Sequence, residues 1–285
     1  MQNRNVTEED KEQFIEDYQD KEGYLCCGKC HTRKEMEIIL PFLDGTGESS
    51  HRRVGVLCKC ESERMEQEKE EIAFREHQQT VKRLQSVCFK SQAKTKQTFE
   101  LATKLPVEIL EKAQSFVENW EEMKRENTGL LFWGDVGTGK SYTAACIANA
   151  LMEQEVPALM RNMGDFMSGD FEEREELCRS IASYGLVILD DLGMERGTEY
   201  GLETAFRVID ARCESRRPTI ITTNLTLQDL KNPKDLMHQR IYDRVLEMCT
   251  PICFSGESVR EDIHKNKKNI LQRIFRGGTL NGKRV

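Results

Sequence analysis

Eight residues, Gly134 to Ser141 in GDVGTGKS, have the types and spacing to hold a phosphate chain. Glycines let backbone N–H groups turn inward around phosphate oxygens, and the positive end of a following helix adds to that field. Gly134, Asp135, Val136, Gly137, Thr138 and Gly139 then form the cradle, and Lys140 reaches the terminal phosphates of the bound nucleotide. Ser141 ligates magnesium, and Tyr142 completes the binding set at the start of the helical stretch YTAACIANALMEQ. The apolar run GLLFWG precedes the loop, so strand, glycine loop and helix follow in the required order.

A second stretch, LVILDDLG at 186 to 193, is four apolar residues followed by two carboxylates. In a parallel sheet the carboxyl ends of the strands face the nucleotide, so acids there stand beside the phosphates and their metal. Asp190 is placed to hold magnesium through its water shell, and Asp191 to orient and deprotonate an attacking water. The run PTIITTNLTLQDL ends its apolar part at Thr222, Thr223 and Asn224, where an amide could hold the same water or simply make a turn. In PKDLMHQRIYDRVLEMC, Ile241, Val245 and Met248 fall at helical spacing, with Arg240 and Arg244 on a neighbouring face. Arg260, in GESVR after the last apolar run, is near enough to the end of the chain to close over a nucleotide.

Cysteine chemistry is concentrated elsewhere. GYLCCGKCHTRKE supplies Cys27 and Cys30 as CxxC, and VGVLCKCE supplies Cys58 and Cys60 as CxC, with 27 residues between the pairs. Four thiolates satisfy tetrahedral zinc, and in a short segment with little core the metal supplies folding energy directly. Cys26 or His31 could replace one ligand, with His51 more remote. Cys146, Cys178, Cys213 and Cys249 read as small residues of helix cores.

These residues need elements to position them. Residues 1–60 form the cysteine-rich zinc-binding module, and 61–98, beginning ESERMEQEKEEIAFREHQQ, reads as an exposed, charged helical linker. Residues 99–260 hold five apolar runs alternating with helical stretches: GLLFWG, VPALMR, GLVILDD, PTIITTN and PICFSG. That alternation predicts an α/β doubly wound, mainly parallel five-stranded sheet. Residues 261–285 form a basic tail; from Arg260 onward there are eight Lys or Arg against two acids. The chain of 285 residues is 32% charged with a net charge of −7, which excludes a surface that coats nucleic acid as a whole. No apolar run reaches 18 residues, and MQNRNVTEEDKEQF lacks the basic end and apolar stretch of a secretory signal; a cytoplasmic protein with no membrane contact is expected.

From Cys27 to Arg260 the chain resembles the DnaC/DnaI-like bacterial or phage replicative helicase loaders, a branch of the AAA+ P-loop ATPases. GDVGTGKS, VILDDLG, RGTEYGLETAFRVIDAR, TTNL, NPKDLMHQRIYDRVLEMC and GESVR occur in the family's order. The resemblance implies an ATPase that loads a replicative ring helicase onto single-stranded DNA at initiation and assembles into an ATP-dependent homo-oligomer, with ATP, magnesium and zinc as cofactors. It implies that Asn224 is the first sensor, Arg244 the arginine finger acting on an adjacent subunit, with Arg240 the competing candidate, and Arg260 the second sensor. It also implies that the zinc module binds the helicase. Most AAA+ members carry Glu where this chain has Asp191, and the shorter arm fits slow, switch-like turnover. The alternatives are an IstB-like transposition helper ATPase and a non-hydrolysing adaptor holding zinc and ATP.

Overall fold

The computed structural model describes residues 16–41, 49–168, 170–193, 199–256 and 258–277. The polar start, residues 196–198 of RGTEYG, Glu257 of GESVR and the end of the basic tail lie outside them, as does the Arg260 side chain. The chain divides into two compact units between Gln78 and Gln79. Among the described residues no helix is long and apolar enough to cross a membrane.

The first unit is made of short antiparallel pieces. β1 (Tyr18–Gln19) pairs with β2 (Leu25–Cys26), and β3 (Glu35–Pro41) pairs with β4 (Ser49–Gly55) over seven residues. α1 (Lys59–Cys88) follows at once. Glu and Lys dominate its first five turns, where Met65, Ile72 and Phe74 are exposed. The expected exposed linker does not persist to residue 98: Val81 and Cys88 are buried, because the last turns of α1 join the core of the second unit.

The second unit is a three-layer α/β sandwich. α2 (Val107–Glu118) and α3 (Trp120–Arg125) lead into β5 (Gly129–Gly134), after which α4 (Lys140–Glu153), β6 (Ala158–Asn162), α5 (Phe171–Ser180), β7 (Leu186–Leu192) and α6 (Glu199–Ser215) alternate. β8 (Thr219–Thr223), α7 (Leu227–Lys231), α8 (Leu236–Met248), β9 (Cys249–Phe254) and α9 (Val259–Gly277) complete it. All five strands are parallel, in the order β6-β7-β8-β5-β9. Strand residues alternate between faces. Leu130, Phe132, Ile188 and Ile220 pack with α2, α3 and α4, while Leu131, Val187, Leu189 and Ile221 pack with α5, α6 and α8. The sheet therefore has both faces covered, which explains why its strands read as continuous apolar runs.

Two details depart from expectation. Cys249 is not a helix residue: it opens β9, fully enclosed, with its thiol donating to the Thr219 carbonyl at 3.3 Å. Cys213, on α6, is only half-buried. Cys146 on α4 and Cys178 on α5 are buried within helices, as the sequence suggests.

Candidate active site and metal centre

β8 lies between the strand that carries the phosphate loop and the strand that carries the acids. Trp133 is level with Thr223, and Thr223 with Leu192, so the carboxyl ends of β5, β8 and β7 stand side by side. This register gathers GDVGTGKS, Asp190, Asp191, Thr222 and Asn224 along one edge of the sheet.

The loop is tightly made. Gly134 has φ 123°, and a Cβ there would fall 2.3 Å from the Phe254 carbonyl oxygen, so the backbone turns only with glycine. Gly137 has φ 86° and abuts Ser258, while its carbonyl accepts from the Val259 N–H at 3.0 Å. The start of α9 is thereby tied to the phosphate loop, and this is where GESVR falls. The Thr138 hydroxyl donates to the Asp135 carbonyl at 2.8 Å. Lys140 is buried at the first turn of α4, and its Nζ donates to the carbonyls of Gly134 and Asp135 at 2.8 and 2.6 Å. Ser141 and Tyr142 are half-buried beside it, and Tyr142 packs with Leu105, Ala102 and Cys146; burial raises its phenol above the usual range. Asp135 and Val136 are exposed at the tip.

Asp190 is buried, whereas Asp191 is exposed. A register shift between Leu189 and Leu192 forms a bulge, and Asp191 adopts φ 60° there, a left-handed conformation that Asp tolerates better than most residues. The Thr222 hydroxyl joins the two acids: it donates to Asp190 Oδ1 at 2.7 Å and accepts from the Asp191 N–H at 2.9 Å. Reading Thr222 as a turn residue misses this. Lys94 is missed altogether; it lies on a single turn, Gln92–Lys96, and its Nζ is 3.3 Å from Asp190 Oδ2. Within a stretch this rich in charge, nothing in the local pattern distinguishes it. Asn224 is exposed directly after β8.

Ile241, Val245 and Met248 bury one face of α8. Arg244 pairs with Asp210 at 3.3 Å and Glu247 at 3.1 Å and lies 3.6 Å from the Cys213 sulfur, while Arg240 is exposed. Behind the site, Arg212 is fully enclosed. Its guanidinium donates to the carbonyls of Ile181, Tyr184, Gly185, Arg217 and Pro218 and to the Thr219 hydroxyl. Burial pushes its pKa down to about 9, which still leaves it charged at neutral pH.

In the first unit the thiols of Cys27, Cys30, Cys58 and Cys60 all lie within 4.8 Å of one another. Cys27 Sγ to Cys60 Sγ is 3.6 Å and Cys58 Sγ to Cys60 Sγ 3.4 Å. A tetrahedral ion with sulfur ligands at about 2.3 Å sets its sulfurs about 3.8 Å apart, so the cluster has the size for one. The turn after Cys27 closes with the His31 N–H on the Cys27 carbonyl and the Cys27 N–H on the Thr32 carbonyl, both at 2.9 Å. Thr32 Oγ1 lies 3.1 Å from Cys30 Sγ and accepts from the Lys59 N–H, which orients the ligand set. That hydroxyl helps draw the Cys30 thiol down to about 5, while the neighbouring thiols push Cys60 up to about 12. A dication bound among them would favour the thiolate form of all four. His31 meets Tyr18 at 3.3 Å and His51 meets Glu37 at 3.2 Å. The four-ligand cluster contains neither histidine, nor Cys26.

A family model described as IstB-like ATP binding protein matches residues 61–268. The chain belongs to that family. Among curated relatives, this IstB-like chain is 26% identical over 162 residues to the replicative helicase loader DnaC of Escherichia coli strain K12, covering 54% of the chain and 64% of DnaC. DnaC of Buchnera aphidicola subsp. Acyrthosiphon pisum strain APS is 29% identical over 156 residues, covering 52% and 62%. The IstB-like chain thus covers less than two thirds of either relative's length. A crystal structure of DnaI shares the fold, with a TM-score of 0.51 at 22% identity, over 62% of this chain and 98% of that one.

Proposed function

We propose that this chain is an ATP-dependent loader that places a replicative ring helicase onto single-stranded DNA when replication begins. The observation that carries the reading is the phosphate loop beside the Thr222-bridged acids, in a chain whose curated relatives include replicative helicase loaders. Backbone amides of Gly137 to Lys140 and the Lys140 ammonium would hold the phosphates, and Ser141 and Asp190 would hold a magnesium ion, whose chemistry there would be to neutralise phosphate charge. Asp191 orients the attacking water with Asn224. Its short side chain, on a backbone pinned by Thr222, limits its reach and gives slow, switch-like hydrolysis. Arg260, in GESVR, is assigned the role of second sensor. Cys27, Cys30, Cys58 and Cys60 hold structural zinc, with no position open for catalysis, and the module so folded binds the helicase. The family model takes its name from IstB, and the cysteine module, which precedes the matched residues, counts against a transposition helper.

Arg244 is assigned to a neighbouring subunit's γ-phosphate. It is half-buried on α8 beside α6, and its pairs with Asp210 and Glu247 are exposed enough to be given up on assembly. Arg244→Ala is expected to bind ATP almost normally but hydrolyse it at least roughly a hundredfold more slowly, since such fingers contribute about 10³ to 10⁵. Mixing Arg244→Ala with Lys140→Ala subunits restores part of the activity, because an interface with one intact loop and one intact finger can form. Full activity in Arg244→Ala with loss in Arg240→Ala would move the finger one turn; activity in both would remove the shared site.

A further inference from the structure

We infer that Lys94 competes with magnesium for Asp190, so that binding of the metal–nucleotide complex loosens the turn that follows α1. The inference rests on the nucleotide-site reading above. Both oxygens of Asp190 are engaged: Oδ1 accepts from Thr222 at 2.7 Å and Oδ2 lies 3.3 Å from Lys94 Nζ. Lys94 is 96 positions away in sequence, and the backbone that delivers it is fastened to the phosphate-loop helix. Asn149, buried on α4, donates to the carbonyls of Lys94 and Gln97 at 2.8 and 2.9 Å and accepts from Gln85 of α1 at 3.1 Å. Arg161 caps the end of α1 by donating to the carbonyls of Cys88 and Val87 at 2.7 and 3.1 Å, and Lys90 pairs with Asp165 at 2.7 Å.

With that backbone held, the Lys94 side chain is the part that can move. It is about a third exposed, and its contacts are one carboxylate oxygen and the Met160 sulfur at 3.4 Å. An ammonium is a compact point cation, whereas magnesium carries twice the charge and keeps an ordered shell of waters. The two cannot occupy the same face of Asp190 Oδ2, whether the ion binds directly or through water. Metal entry therefore turns Lys94 out, and the Gln92–Lys96 turn loses its tie to β7 while its ties to α4 remain.

The test uses the full chain with ATP and a magnesium titration, read by calorimetry and by hydrogen exchange of residues 90–97. Lys94→Met keeps length and removes charge; it should tighten the magnesium midpoint by up to about fivefold, the factor that an ion pair of this exposure is worth. Exchange in the turn should quicken in the wild type when magnesium is added to ATP, and should already be quick in Lys94→Met without it. Lys94→Arg should restore the wild-type midpoint. Weaker magnesium–ATP binding in Lys94→Met would make Lys94 a phosphate ligand and overturn the inference. An unchanged midpoint together with unchanged exchange would overturn it as well. If the wild type binds nucleotide normally in that experiment, the inference alone fails; if it binds none, the nucleotide-site reading fails with it.

Discussion

The two units hold their chemistry in place by opposite means. In the second, two apolar clusters on either face of a parallel sheet fix the strand ends, and the strand ends fix the acids and the phosphate loop. In the first, the buried apolar residues among those described are Cys26, Cys27 and Cys58, while Met36, Ile39, Leu40 and Leu57 are exposed. What surrounds the thiols is polar: Tyr24 lies between the guanidinium groups of Arg33 and Arg53, each 4.2 Å from its ring, and Arg33 pairs with Asp20 and Glu22. Exposed pairs of this kind add little to stability. One unit has a core that positions a site; in the other, the site must serve as the core.

Removing metal is the most severe way to break this contrast. Freshly purified protein should hold about one zinc per chain, and a strong chelator or the Cys27→Ser plus Cys58→Ser variant should abolish hydrogen-exchange protection in residues 18–57. ATP affinity should stay within about twofold, as the two sites do not share residues. Protection that survives full removal of the metal would show that the module folds on its own.

The second unit should respond instead to loss of buried polar contacts. Arg212→Ala leaves several enclosed carbonyls without donors and should cost about 3 to 5 kcal/mol, lowering its melting temperature by roughly 10 °C with zinc content unchanged. A shift below about 2 °C would mean that water replaces the guanidinium. Lys140→Ala should weaken ATP binding by roughly a hundredfold in calorimetry, since a buried ammonium that meets the phosphates is gone. Thr222→Val, nearly the same shape, should bind ATP but lower its turnover by at least about tenfold, because both hydrogen bonds of the hydroxyl that align the two acids are lost. Unchanged turnover would leave the Asp190–Thr222–Asp191 chain without a catalytic purpose.

Much of the second unit was legible because its signals are local. Five apolar runs became five parallel strands within a residue or two, and GDVGTGKS needed only its flanking strand and helix to be recognised. The four thiols were likewise paired by short spacings, and they meet in space. What escaped depends on distant partners. Lys94 lies in a charged stretch, and only the fastening of its turn by Asn149 brings it to Asp190. Thr222 and Arg212 have ordinary residue types for a strand end and a helix surface, and their roles arise from which strands become neighbours. Cys249 was placed in a helix because α8 passes directly into β9 with no turn residue to mark the change.

The central claim is best tested by delivery of the host replicative helicase onto circular single-stranded DNA, with purified wild-type chain, with and without ATP. The account predicts a stable helicase–DNA complex that forms with the wild-type chain and ATP, and is lost with Lys140→Ala and with the Cys27→Ser plus Cys58→Ser variant. Equal delivery by wild type and both variants, or no capture of the helicase by the wild-type chain in either nucleotide condition, would contradict it.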